Sequence, residues 1–235
     1  MLSNDILNAV KTYTANMKNG VSLVLQTGEY EKRSELKEFL SQLSSVSENL
    51  TLVERDEDLR SPITFYLEVD GQNNGIHFSG IPSGHEFNSL ILGILHSSGT
   101  EHKLDLTLTK MVKKINEPLH FEVFISLSCH QFALINDNIS SEMIDGGLYP
   151  TLIEERSIQG VPSVYLNGEL FANGKIDTAQ LVDKLIERFP YIVGADDAEQ
   201  LPLQDVTVIG AGPAGVASAI YAARKGLNVT LIADR

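Results

Sequence analysis

A chain of 235 residues with 43% hydrophobic content can bury a substantial core, as one large or two modest domains, and reads as soluble and globular. Its formal charge of -13 excludes a protein that tracks nucleic-acid phosphates, because no basic block is present to displace counterions. The apolar stretches, such as Leu90 to Leu95, fall short of a membrane span. The opening MLSNDILNAV lacks the basic and apolar regions of a secretory signal, so a cytoplasmic protein is expected, and one cysteine excludes an internal disulfide.

In chain order, Ile6, Leu7, Val10, Tyr13 and Met17 fall at helical spacing behind a Ser3 cap. A strand follows from Val21 to Gln26, a helix from about Ser34 to Leu43, and a strand from Asn49 to Asp56. TFYLEVD and GIHFSGI flank a Gln72-Asn73-Asn74-Gly75 turn as a hairpin, and HEFNSLILGILH makes an apolar helix. A related order then recurs: strands at His120 to Ser128 and ISSEMID, a helix from Leu152 to Arg156, a VPSVYLNGELFANG hairpin, and a helix around Ala179 to Phe189. Placing Ser61-Pro62-Ile63 beside Val161-Pro162-Ser163 aligns the halves, which reads as duplication of a roughly ninety-residue α/β unit.

Pro190 to Gln204, with Gly194, Asp196, Asp197 and Pro202, reads as a linker. Beyond it, VTVIGAGPAGVASAIYAARKGLNVTLIADR gives strand, glycine turn, helix and second strand, ending in an acid. Gly210, Gly212 and Gly215 carry the G-x-G-x-x-G spacing, with Pro213 and Ala214 between them. Gly210 permits the turn, Gly212 lets the backbone approach a pyrophosphate, Gly215 lets helix and strand pack closely, and Asp234 stands where an acid binds a ribose hydroxyl. One βαβ piece of this size is too small to fold alone or to build a complete cofactor crevice, so a retained flavin or nicotinamide nucleotide is not expected.

SLSCH, the MIDGG strand end, QGVPSVYLNGE, GHEF and GAGPAG, in this layout, resemble the F subunit of alkyl hydroperoxide reductase over essentially the whole chain. The resemblance implies two tandem thioredoxin-like folds, residues 1–102 and 103–189, a linker at 190–204, and the start of an FAD-binding Rossmann domain at 205–235. It also implies electron transfer from NADH through FAD and a dithiol to a peroxiredoxin. By the same resemblance Cys129 matches the first cysteine of a Cys-x-x-Cys, Glu86 an acid that assists proton transfer, and Val161 and Pro162 a peptide groove whose proline is cis.

Phe132 stands where the second cysteine would be, and the crossover from His130 to Ser140 is shorter than the family's by roughly ten residues, about three helical turns. A short helix and a less stable second lobe are expected. A lone thiol forms a mixed disulfide but cannot resolve it. Cys129 then reads either as a remnant nucleophile, with an external thiol such as glutathione to resolve it, or as an inert buried thiol. Glu86 reads either as the proton-transfer acid or as a carboxylate favoured by a helix start, and His130 either lowers its neighbour's pKa or points away. The six histidines show no metal-ligand spacing. The chain is expected to be silent as an enzyme. The alternative is a non-catalytic peroxiredoxin-docking module around Gly160, Val161, Pro162, Asn167 and Gly168.

Overall fold

The computed structural model describes residues 2–100, 104–124, 129–193 and 203–233. They form two units, Met1–Val193 and Gly194–Arg235.

The first lobe of the larger unit opens with α1 (Asn4–Thr14), whose Ser3 side chain accepts from the Ile6 N–H. β1 (Val21–Gln26) crosses through α2 (Arg33–Ser44) to the parallel β2 (Leu50–Arg55). The hairpin of β3 (Thr64–Val69) and β4 (Gln72–Ser79) turns at Asp70-Gly71, not at the expected Gln72 to Gly75. Asp70 and Gly71 both have positive φ, which gives a two-residue turn the right-handed strand twist. The Asn-rich segment lies inside β4, where a bulge between Tyr66 and Glu68 absorbs it. α3 (His85–Ser97) completes the lobe.

The second lobe begins with α4 (Leu106–Lys113), capped by Asp105 and not expected from the sequence pattern. β5 (Leu119–Phe124), α5 (Cys129–Ala133) and the parallel β6 (Ile139–Ile144) follow. Next come α6 (Pro150–Glu155) and a hairpin of β7 (Ser163–Leu166) and β8 (Glu169–Asn173), which turns on the positive-φ pair Asn167-Gly168. An Asp177/Gln180 capping box starts α7 (Thr178–Arg188). The expected linker begins late, because the 3-10 turn Pro190–Ile192 buries Ile192 in the second lobe's core.

All eight strands join in one sheet, β2-β1-β3-β4-β6-β5-β7-β8. The lobes therefore meet head to tail, the last strand of the first pairing in parallel with the crossover strand of the second, Ile76 beside Ser141 through Ser79 beside Ile144. Gly75 permits this approach, since a Cβ there would lie 2.8 Å from the Ile139 carbonyl oxygen. The halves also align one residue away from the expected match. Gly80 N–H donates to the Ile63 carbonyl and Gly174 N–H to that of Pro162, so Ile63, not Pro62, is the counterpart of Pro162.

Leu23, Leu25, Phe65, Leu67, Ile76 and Phe78 pack against α1, α2 and α3, with Phe65 and Phe78 stacked at 5.1 Å. Phe121, Val123, Val164 and Leu166 pack against α4, α5 and α7. Full burial of each such side chain is worth about 1.5–3 kcal/mol. Across the register a second row runs Tyr66, His77, Glu142, Glu122, Tyr165, and alternation places it on the opposite side of the sheet.

The smaller unit comprises parallel β9 (Val206–Ile209) and β10 (Val229–Ile232) joined by α8 (Pro213–Arg224). Among its described residues none is buried.

Candidate functional site

α5 spans five residues, and of these Cys129, His130, Phe132 and Ala133 are buried. Phe132 points into the second lobe's core, its ring 6.0 Å from that of Phe121. Cys129 is 1% exposed and belongs to the same apolar cluster. Burial alone pushes its thiol up to about 12. A protonated thiol is a poor nucleophile, and the acidified thiolate of a redox helix is not what this environment favours.

The neighbouring His130 is also buried, its ring 5.0 Å from Phe78 of the first lobe. Burial, reinforced by His77, lowers its pKa to about 4, so at neutral pH it carries no charge with which to acidify Cys129. Its Nε2 has no hydrogen-bond partner. His130 lines a cavity of about 30 Å³ with Ser89, Leu92, Gly93, His96 and Gln131, room for a single water.

Glu86 lies in the first turn of α3, which packs against α5. It is nearly buried, and burial, with Asp145 adding a like charge, raises its carboxyl to about 7. Burial and then Asp145 weaken the acidity of Glu86, and burial in the core weakens that of the thiol. The Val161–Pro162 peptide is cis, and Val161 is 53% exposed beside it. Ser163 Oγ donates to the Gly160 carbonyl at 2.7 Å, and Asn167 ties back to the His120 N–H, also at 2.7 Å. The groove residues singled out in the sequence thus lie along one ordered segment.

In the smaller unit the glycines take the places their spacing implies. Gly210 has φ +99°, and a Cβ on Gly215 would lie 1.9 Å from the Gly210 carbonyl oxygen, closer than any side chain allows. Gly212 caps α8 with open space where its Cβ would be, and no side chain occupies the cap. Pro213 starts the helix. The free N–H groups at this end, Ala214 and Gly215 included, suit a pyrophosphate. Asp234 lies outside the described residues.

A family model described as FAD dependent oxidoreductase matches residues 205–235. The F subunit of alkyl hydroperoxide reductase in Staphylococcus aureus is 37% identical over 245 aligned residues, covering 100% of this chain and 47% of that protein. The chain is homologous to the N-terminal part of the alkyl hydroperoxide reductase F subunit. It spans about half the length of the curated relatives it matches. The crystal structure of the N-terminal domain of the same reductase component, AhpF, in Enterococcus faecalis superposes with TM-score 0.73 at 26% identity, covering 79% of this chain and 100% of that one. A protein disulfide oxidoreductase from Aeropyrum pernix shares the fold, with TM-score 0.68 at 22% identity over 78% of this chain and 91% of that one.

The fold is therefore that of the N-terminal portion of AhpF, two thioredoxin-like folds, with a Rossmann-like βαβ unit after them in the chain. Sequence reasoning missed three features. Asp145 as Glu86's neighbour has no local signal. The unpartnered His130 appears only once α3 and α5 are packed. Arg60, which bridges the lobes, follows an acidic run and reads as an ordinary surface residue. Among the described residues no cluster of ligating side chains suits a metal, and no helix is long and apolar enough to cross a membrane.

Proposed function

We propose that this chain is the thiol-relay end of an AhpF-type, NADH- and FAD-dependent peroxiredoxin reductase, kept as a docking module with its dithiol step disabled. The observation that carries this reading is the pair Cys129 and Phe132, a core-buried thiol beside a core-buried phenyl ring where the family places two cysteines. With no resolving thiol and no thiolate, the relay has neither its attacking nor its resolving group. Glu86, near pH 7 in its titration, keeps the character of a proton-transfer acid without a redox pair to serve.

The docking half rests on exposed Val161 beside Pro162, which offers a backbone edge to an extended peptide of the peroxiredoxin. Bound FAD would supply two-electron chemistry between NADH and a disulfide. Gly210, Gly212, Ala214 and Gly215 would hold its pyrophosphate and Asp234 its ribose. The unit that carries them buries nothing among its described residues, so the chain is expected to purify without flavin.

Two measurements test the reading. Mixed with NADH, FAD and oxidised peroxiredoxin, the chain is expected to give no turnover, while peroxiredoxin is retained on the immobilised chain and released by Val161→Asp. Alkylation of Cys129 at pH 7 is expected to run about a hundredfold slower than in the denatured chain. Turnover, or labelling as fast as a free thiol, overturns the disabled relay. Failure to retain peroxiredoxin overturns the docking role.

A further inference from the structure

Arg60 leaves the loop before β3 and crosses to the second lobe. Its guanidinium donates twice to Glu142, at 2.8 and 2.7 Å, and once to Glu122 at 2.7 Å. Both carboxylates are 4% exposed. Arg156 meets the other oxygen of Glu122 at 2.8 Å, and His120 and the Ser79 hydroxyl complete the shell of Glu142. Glu142 faces His77 across the β4–β6 pairing, and Glu122 adjoins it on β5.

The repeat gives this cluster its meaning. β4 is the last strand of one lobe and β6 the crossover strand of the other, so β2, the crossover strand of the first lobe, is the equivalent of β6. A head-to-tail joint of this kind is not self-limiting: the edge that accepts β6 is shaped to accept β2 of a second copy as well. The backbones do not distinguish the two. The side chains do. Val21 pairs with Leu50 as Leu119 pairs with Ile139, which sets Val53 in the place of Glu142 and Val24 in that of Glu122. The positions that carry acids in the second lobe carry valines in the first.

We propose that Arg60 and the Glu142–Glu122 pair decide which strand β4 accepts, admitting the crossover edge of the second lobe and rejecting that of a first lobe from another copy. Pairing β4 with a second copy's β2 sets Arg60, whose side chain is 26% exposed, against Val53 and Val24 and forfeits its hydrogen bonds, whereas pairing with β6 supplies two buried carboxylates. A buried carboxylate without its partner is heavily penalised, so β6 needs the edge that carries Arg60, whereas the valines of β2 gain nothing from it. Such a cluster therefore discriminates between partners more than it stabilises the correct one.

The test places the first lobe's valines in the seam of the full chain as Glu122→Val and Glu142→Val, together with Arg60→Gln. The triple variant is expected to fold, with a circular dichroism spectrum matching that of the unaltered chain. By size exclusion with light scattering at two concentrations, it is expected to show at least a severalfold larger fraction of dimers and higher species. Arg60→Gln alone, which leaves Glu142 and Glu122 buried without their shared arginine, is expected to lower the melting temperature strongly. A triple variant with an unchanged mass distribution overturns the proposal. So does one that fails to fold, because the charges would then be supporting the lobes and not selecting between edges.

Discussion

Glu86 concentrates the residue-scale electrostatics. Its carboxyl ionises at about 7 in the folded chain and near 4.3 unfolded. The unfolded state therefore loses its proton first as pH rises, so folding is favoured by this group below about pH 4 and progressively penalised as pH rises towards 7. Glu86→Gln is expected to leave stability unchanged at pH 4 and to raise it by about 1–2 kcal/mol at pH 8, allowing for partial solvent screening; urea denaturation at the two pH values checks this. A variant no more stable at pH 8 would mean that the carboxylate is well solvated. The sequence disclosed Glu86 as an acid at a helix start, but not the source of its shift. Asp145 lies 59 positions further along the chain, on the other lobe, and only the seam brings the two together.

Elements differ sharply in how legible they are. β1, bounded on both sides by loop residues, is readable at its observed limits, and α1 shows its cap and its apolar face. The β3–β4 turn is misread because Asn73, Asn74 and Gly75 form a stronger written turn signal than Asp70-Gly71, yet Asn73 and Asn74 spend their side chains on local backbone N–H groups inside a bulged strand. α4 escapes the pattern because its opening Leu106-Thr107-Leu108-Thr109 alternates as a strand does. The shortened α5 is legible by counting residues between strands, but the burial of Cys129 depends on tertiary packing that no local pattern records. In the smaller unit, β9, α8 and β10 match their pattern almost residue for residue. Ile209 is 84% exposed all the same, since two strands and a helix have only one face to cover. Hydrogen exchange is expected to show amides in 206–232 exchanging at least about a hundredfold faster than those of β1, β3 and β5, a gap of about 3 kcal/mol or more in opening free energy. Equal protection would show that the unit is covered in solution.

At the scale of the molecule, the lobes form one sheet whose seam also sets the response to acid. His77 and His130 both sit near pKa 4, burial being the main cause for each, against about 6.5 unfolded. Glu142 is subject to burial that would raise it, but Arg60, followed by His120 and Ser79, holds it at about 2. For all three groups the unfolded state takes up protons first as pH falls. The histidines' contribution is lost between about 6.5 and 4 and that of Glu142 between about 4.5 and 2, while Glu86 acts in the opposite sense between 7 and 4.5. The chain is expected to be most stable near neutrality and to lose about 2 kcal/mol or more by pH 4, with His130→Phe flattening the decline. Denaturant midpoints across this range, unchanged from pH 7 to pH 4, would show that the seam does not feel protons.

The parallel pairing of β4 with β6 also sets a clock during synthesis. Ile76 meets Ser141, 65 positions later in the chain, so a finished first lobe leaves the ribosome with its β4 edge bare. At roughly 5–20 residues per second, that edge waits about 3–13 s for its partner strand. On a polysome, neighbouring nascent chains hold identical first lobes at high local concentration, each presenting a free β2. The interval in which mispairing is most dangerous thus closes only when Glu142 emerges.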